Sequence, residues 1–381
     1  MSRVNVKPEL LRWARERADR SVESLSKRFP KLELWEHGEA NPTLKQLEDF
    51  AKATYAPAGY FFLPEPPLEV IPIPDFRTAG NNRIGHPSPD LLDTIYICQQ
   101  RQEWYREFER SMGGKPRGFV GAVDLTSGIV ATATRMRSEL GFDLEERRRI
   151  PTWTEALRRF IEQADALGVL VMVSGVVGSN NRRKLDPQEF RGFALADGLA
   201  PLVFINGKDT KAAQMFTMAH ELAHLWLGES ALSDVGPMSF PSHRVEAWCN
   251  AVAAELLVPL DSLKSEYNKN ADLGAEMNRM ARCFKVSTLV ILRRIKDADG
   301  LTKEQFRRAY DDELKRLQGM PKSSGGDFYL TQAARMGKRF SRALVVSTLE
   351  GQSSFTEAFR LLGIKKMATF NDLGHSLGVN L

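Results

Sequence analysis

His220-Glu221-Leu222-Ala223-His224 places two imidazoles four residues apart with a carboxylate beside the first. The pentapeptide ends the amphipathic run Lys211 to Ala219, so the pattern predicts a helix through it. At about 100° per residue, positions i and i+4 differ by only about 40° around a helix, so both rings leave one face and can share a tetrahedral zinc ion. Glu221 projects beside that face, where it can take a proton from a water activated at the metal. This is the chemistry of a zinc hydrolase. A helix whose two histidines are satisfied by carbonyls gives the same five letters, so a third ligand decides between the readings.

Downstream, Gly228 to Pro237 reads as a loop, and a second helix is expected from about Ser242 through Arg244 to Leu257, stopped at Val258-Pro259. Val245, Trp248, Cys249, Val252, Ala253, Leu256 and Leu257 recur at three and four and mark its buried face. Glu246 borders that stripe. A carboxylate half inside a core is costly unless it is paired or bound to a cation, which makes Glu246 the candidate third ligand. Its alternative is an exposed first-turn acid favoured by the helix dipole. Asn250, one turn on, is either a second-layer amide that orients the ligand or an ordinary packing residue. His243 and Arg244 could donate to an oxyanion, or be surface residues.

Phe216-Thr217-Met218-Ala219-His220-Glu221-Leu222-Ala223-His224-Leu225, followed by Glu246-Ala247-Trp248-Cys249-Asn250 and on to Val258-Pro259, resembles the ImmA/IrrE family of bacterial and phage zinc metallopeptidases. Phe190 to Asp197 and Ala200 to Asn206 resemble the paired strands that precede the metal helix in that family, and the likeness runs from about Trp153 to Asp297. The resemblance implies His220, His224 and Glu246 as zinc ligands and Glu221 as the catalytic glutamate. It also implies a protein substrate, since members of the family cut repressors of the helix-turn-helix type. An edge strand at Phe190 to Asp197 would then pair with the substrate backbone. The alternative is an antitoxin or transcriptional regulator of a toxin-antitoxin or mobile-element operon, which binds a partner protein, with DNA binding left open.

Residues 1–63 supply a reason to keep both. Leu10 to Ala18 and Ser21 to Phe29 read as short helices, and Leu34 to Lys52 resembles the end of a lambda-repressor-like (XRE-type) helix-turn-helix domain. The stretch Lys27 to Leu34, where a recognition helix belongs, is about a turn short and contains Pro30, so little helix is left to reach base edges. Arg12, Arg15, Arg17, Arg20, Lys27, Arg28 and Lys31 keep phosphate contact open, while Glu16, Asp19, Glu23 and Glu33 dilute their field.

The expected fold is α+β and mainly helical: a zincin-like core with a small sheet over 89–300, the helical N-terminal domain over 1–63, a proline-rich linker over 64–88 and a helical C-terminal region over 301–381. Pro64 to Arg77 should be extended, either as plain linker or as an internal pseudo-substrate or self-cleavage site. Helices are expected at Pro89 to Met112, Gly128 to Leu140 and Thr154 to Leu167, a buried strand at Val169 to Val173, and a helix-turn-helix cadence at Ala281 to Ile295. Beyond the Ser323 to Gly326 break, helices are expected at Thr331 to Thr348 and Ser354 to Leu362. At 381 residues and 43% hydrophobic, with a mild charge of +5, the chain has ample core and no compulsory polyanion partner. Three widely spaced cysteines, with no signal peptide and no apolar run of membrane length, suggest a reduced cytoplasmic protein; Cys249 alone could approach the metal.

Overall fold

The computed structural model describes residues 3–77, 87–233, 243–318 and 335–379. Their contacts divide into two compact units, one of Met1–Pro72 with Ala79–Ile95 and one of Ile73–Thr78 with Tyr96–Leu381. In the first, α1 (Pro8–Arg17), α2 (Val22–Ser26), α3 (Leu32–Glu36) and α4 (Leu44–Thr54) enclose Leu10, Leu11, Phe29, Trp35, Phe50 and Phe61. α4 starts on a capping box in which Thr43 and Gln46 satisfy each other's backbone N–H groups. α3 is a single turn. Its Leu32 and Trp35 face the core, and its Glu36 is buried in a two-pronged ion pair with Arg15 at 2.7 and 3.0 Å.

A four-stranded sheet organises the second unit. Its order is β1 (Leu170–Ser174), β5 (Leu202–Asn206), β4 (Gly192–Leu195), β6 (Ala231–Ser233), and a separate hairpin joins β2 (Val176–Val177) to β3 (Asn180–Lys184). β1 and β5 run parallel, whereas β4 is antiparallel to both β5 and β6. β4, β5 and β6 are buried throughout, as their near-continuous apolar sequences require of strands covered on both faces. Phe193 and Phe204 lie opposite each other and stack at 4.9 Å, which fixes the β4–β5 register.

On this sheet lies α9 (Lys211–Leu227), begun by the Thr210 cap and ended at Gly228 in the left-handed conformation, φ 74°. A side chain at Gly228 would also meet the Gly121 backbone at 2.9 Å. Every residue from Gln214 to Trp226 is buried, because sheet, α8 (Trp153–Leu167) and α10 (Arg244–Leu257) cover it from different sides. α6 (Ile129–Leu140) packs behind α10, with Arg137 donating to the Glu255 carbonyl at 2.8 Å. The remaining helices are α5 (Pro89–Ser111), α7 (Leu144–Arg149), α11 (Leu260–Glu266), α12 (Leu273–Phe284), α13 (Thr288–Asp297), α14 (Lys303–Gln318), α15 (Lys338–Leu349), α16 (Phe355–Leu362) and α17 (Met367–Ser376). Ser354 caps α16, accepting from the Glu357 N–H. No helix among the described residues is long and apolar enough to cross a membrane.

The mainly helical α+β architecture is present, and two local expectations are corrected. Gly228 to Pro237 is not all loop, since β6 lies inside it. Nor is Phe190 to Asp197 an edge strand: β4 is paired on both sides, and the edge is β6. An apolar run shows that a strand is buried, but only its neighbours decide whether it is central. The break at Ser323 to Gly326 and the start of the Thr331 helix fall outside the described residues.

The end of α10 is clamped by the buried pair Arg294–Glu255, with Arg294 Nε also donating to the Val258 carbonyl at 2.9 Å. Arg294→Met strands the Glu255 carboxylate in the core and should cost about 3–5 kcal/mol. Chemical denaturation should show the loss; a change within about 0.5 kcal/mol would mean that the clamp carries no load.

Candidate metal centre

α9 and α10 cross so that Glu246, in the first turn of α10, meets the histidine face of α9. His220 Nε2 lies 3.3 Å and His224 Nε2 2.9 Å from the two Glu246 carboxylate oxygens, and the two ring nitrogens are 3.0 Å apart. A tetrahedral zinc with ligands at about 2.0–2.1 Å holds donor atoms about 3.3–3.4 Å apart, so these three side chains fit the ion after small rotations. Among the described residues they form a group of metal-binding type, and Cys249 is not part of it. The donor set, two imidazoles and a carboxylate, suits zinc.

Burial defines the electrostatics. His220, Glu221 and His224 are inaccessible to solvent and Glu246 is 4% exposed. Burial pushes the His224 pKa down against the pull of Glu246, leaving a neutral ring with a lone pair to share. For Glu246, burial raises the pKa but the imidazoles outweigh it and hold the carboxyl at about 2. Glu221 is pushed well above the usual carboxylate range, first by burial and then by the charge of Glu246, with the Ser233 hydroxyl acting the other way. A cation at the neighbouring donors would oppose that shift. Cys249, buried beside the same carboxylates, is raised likewise and stays a thiol.

β4 passes close over Glu221. At Gly192 an added Cβ would meet Thr217 Cγ2 at 2.6 Å, the Phe204 carbonyl at 2.8 Å and Glu221 Oε1 at 3.1 Å, so only glycine lets strand and helix approach this far. Asn250 lies a turn along α10 from Glu246 and is partly buried. His243, the residue preceding α10, and Arg244, its first residue, are both exposed.

Sequence reasoning missed two neighbours. The Ser233 hydroxyl is 3.4 Å from His220 Nε2, and the Phe76 ring stacks on His224 with centroids 6.2 Å apart and planes at 10°, also touching His243 at 5.1 Å. Ser233 sits on a strand too short to show a period. Phe76 lies in Pro64 to Arg77, whose two readings are plain linker and pseudo-substrate, but nothing local singles this ring out.

Two substitutions probe this geometry. Glu246→Ala should weaken zinc binding by more than about 100-fold, read by competition with a chromophoric chelator; unchanged affinity would remove Glu246 from the ligand set. Gly192→Ala should cost about 1–3 kcal/mol and displace Glu221 while the zinc ligands keep their places. Thermal unfolding and zinc content measure both, and an undisturbed variant would contradict the close approach.

No curated protein matches the chain. Residues 336–376, which hold α15 to α17, match a domain of unknown function (DUF8813). Residues 164–296, running from the end of α8 through the whole sheet to α13, match a peptidase family model described as the IrrE N-terminal-like domain. The segment that contains the sheet, α9, α10 and all three candidate donor residues is therefore similar to the IrrE N-terminal-like domain, over about a third of the chain.

Proposed function

We propose that the protein is a regulatory zinc-dependent endopeptidase, with a repressor-type transcription regulator as its protein target. The observation that carries this reading is the convergence of His220, His224 and Glu246 with Glu221 buried alongside, inside a domain that matches a peptidase family. Zinc, when bound, supplies Lewis acidity that polarises a peptide carbonyl and brings the pKa of water to about 7. Glu221 takes the proton from the attacking water and hands it to the leaving amine, a role for which a carboxyl of raised pKa in a dry site is suited. His243 or Arg244, exposed at the start of α10, would meet the developing oxyanion. Asn250, on the Glu246 side of α10, would steady the ligand helix.

The second reading is a regulator that captures a partner protein and binds DNA through the N-terminal unit. One observation weighs against base reading: the single turn of α3 exposes Glu33 and Leu34 and buries Leu32, Trp35 and Glu36. A groove reader needs donors and acceptors along a longer helix. The N-terminal unit then serves to dock the target, and the alternative antitoxin role would also use it for docking.

Glu221→Gln is the test. Hydrolysis of the co-purified or operon-neighbour protein should fall by at least about 1000-fold while zinc content is unchanged. Full activity of the variant, or cleavage that survives complete chelation, would rule out the mechanism.

A further inference from the structure

The sheet edge beside the metal centre is already paired. Leu232 of β6 donates its N–H to the Pro74 carbonyl at 2.9 Å and accepts from the Phe76 N–H at 3.0 Å, a parallel bridge centred on Asp75. The next residue along β6 is Ser233, whose hydroxyl lies against His220, so this contact runs beside the ligands. Phe76 then lays its ring over His224 and His243. Ile73–Thr78 clusters with this unit although the residues flanking it on both sides, Met1–Pro72 and Ala79–Ile95, cluster with the other.

The segment has the character of a bound peptide rather than of a strand of the fold. Pro72 and Pro74 have no N–H to give, so the segment cannot extend a full ladder, and its contact with β6 is a single bridge through the Pro74 carbonyl and the Phe76 N–H. Its extended shape is completed by the β6 edge, as in strand addition by a ligand. Two anchors hold its ends. Ile73 is buried, and the buried Arg77 guanidinium is gripped by both Asp75 oxygens at 2.9 and 2.8 Å, with Glu189 at 4.0 Å. Between them Pro74 is exposed and Asp75 and Phe76 are only partly buried, so the stretch that lies beside the metal ligands is held less by the core than its ends.

We propose, resting on the peptidase reading above, that Ile73–Arg77 is an internal occupant of the substrate track. In this arrangement an extended peptide with an aromatic side chain lies along β6, its ring over His224 and His243, and a target must displace Phe76 to reach the metal. A tethered occupant acts at an effective concentration of about a millimolar or more, so the resting protein is closed to weak substrates and open to one that docks elsewhere as well.

The experiment reads binding without turnover. Zinc-loaded full-length protein carrying Glu221→Gln is titrated with a labelled peptide of residues 70–77, followed by fluorescence anisotropy. The chain with its own Phe76 should show no saturation up to about 1 mM. Adding Phe76→Ala, or Phe76→Pro, which also deletes the N–H given to Leu232, should tighten binding at least about tenfold. A peptide with alanine in place of its phenylalanine should lose that gain. Circular dichroism and zinc content confirm that each variant is folded and loaded. Equal affinity for both chains, or no binding to any of them, would overturn the proposal and leave Ile73–Arg77 as a fixed wall of the site. Failure of the peptidase reading is seen separately, as absent hydrolysis by Glu221-intact Phe76→Ala protein, and does not alter the binding result.

Discussion

Two imidazoles and two carboxylates share one buried spot between α9 and α10, and the rest of the second unit is arranged to hold them there. Removing such groups from water without compensation is among the costliest things a core can do. The compensation visible in the chain is partial: Glu246 lies 2.9 and 3.3 Å from the two imidazole nitrogens, whereas Glu221 is left under the field of a like charge. A divalent cation held by His220, His224 and Glu246 would ease both problems, offsetting the charge of Glu246 and drawing the raised pKa of Glu221 back down.

The surrounding elements read as supports for that spot. The sheet carries α9 on its face, and Gly192 allows β4 to come within contact distance of Glu221. α10, which carries Glu246 in its first turn, is tied at its far end by Arg294 and Arg137 and packs along its back on α6. β6 follows α9 immediately and brings Ser233 and the paired segment at Phe76 to the ligands. Rigid helices carry the candidate ligands, and the short strand β6 lies beside them with the Phe76 segment paired to it.

Much of this was legible in the sequence because it is local. The spacing of His220 and His224 is a property of one helix, and Glu246 stood out as an acid on the border of an apolar stripe. The helices at α5, α6, α8, α10 and α16 follow their periodicity and caps for the same reason. What stayed hidden depends on partners distant in the chain. β6 has three residues, too few for alternation to register, and the central place of β4 follows from β6 being there. α14 carries an apolar stripe of Phe306, Ala309, Tyr310, Leu314 and Leu317 that was legible but was not singled out within the C-terminal helical region. Phe76 is joined to His224 only by tertiary pairing, so no window of sequence contains both.

Zinc K-edge X-ray absorption on the stoichiometric zinc-loaded protein addresses the central claim directly, because it reports the atoms around the ion. The account predicts two imidazole nitrogens and carboxylate oxygen at about 2.0–2.1 Å, with no sulfur in the first shell. A scatterer at about 2.3 Å, which would bring Cys249 into the ligand set, or a protein that retains no zinc after desalting, would contradict it.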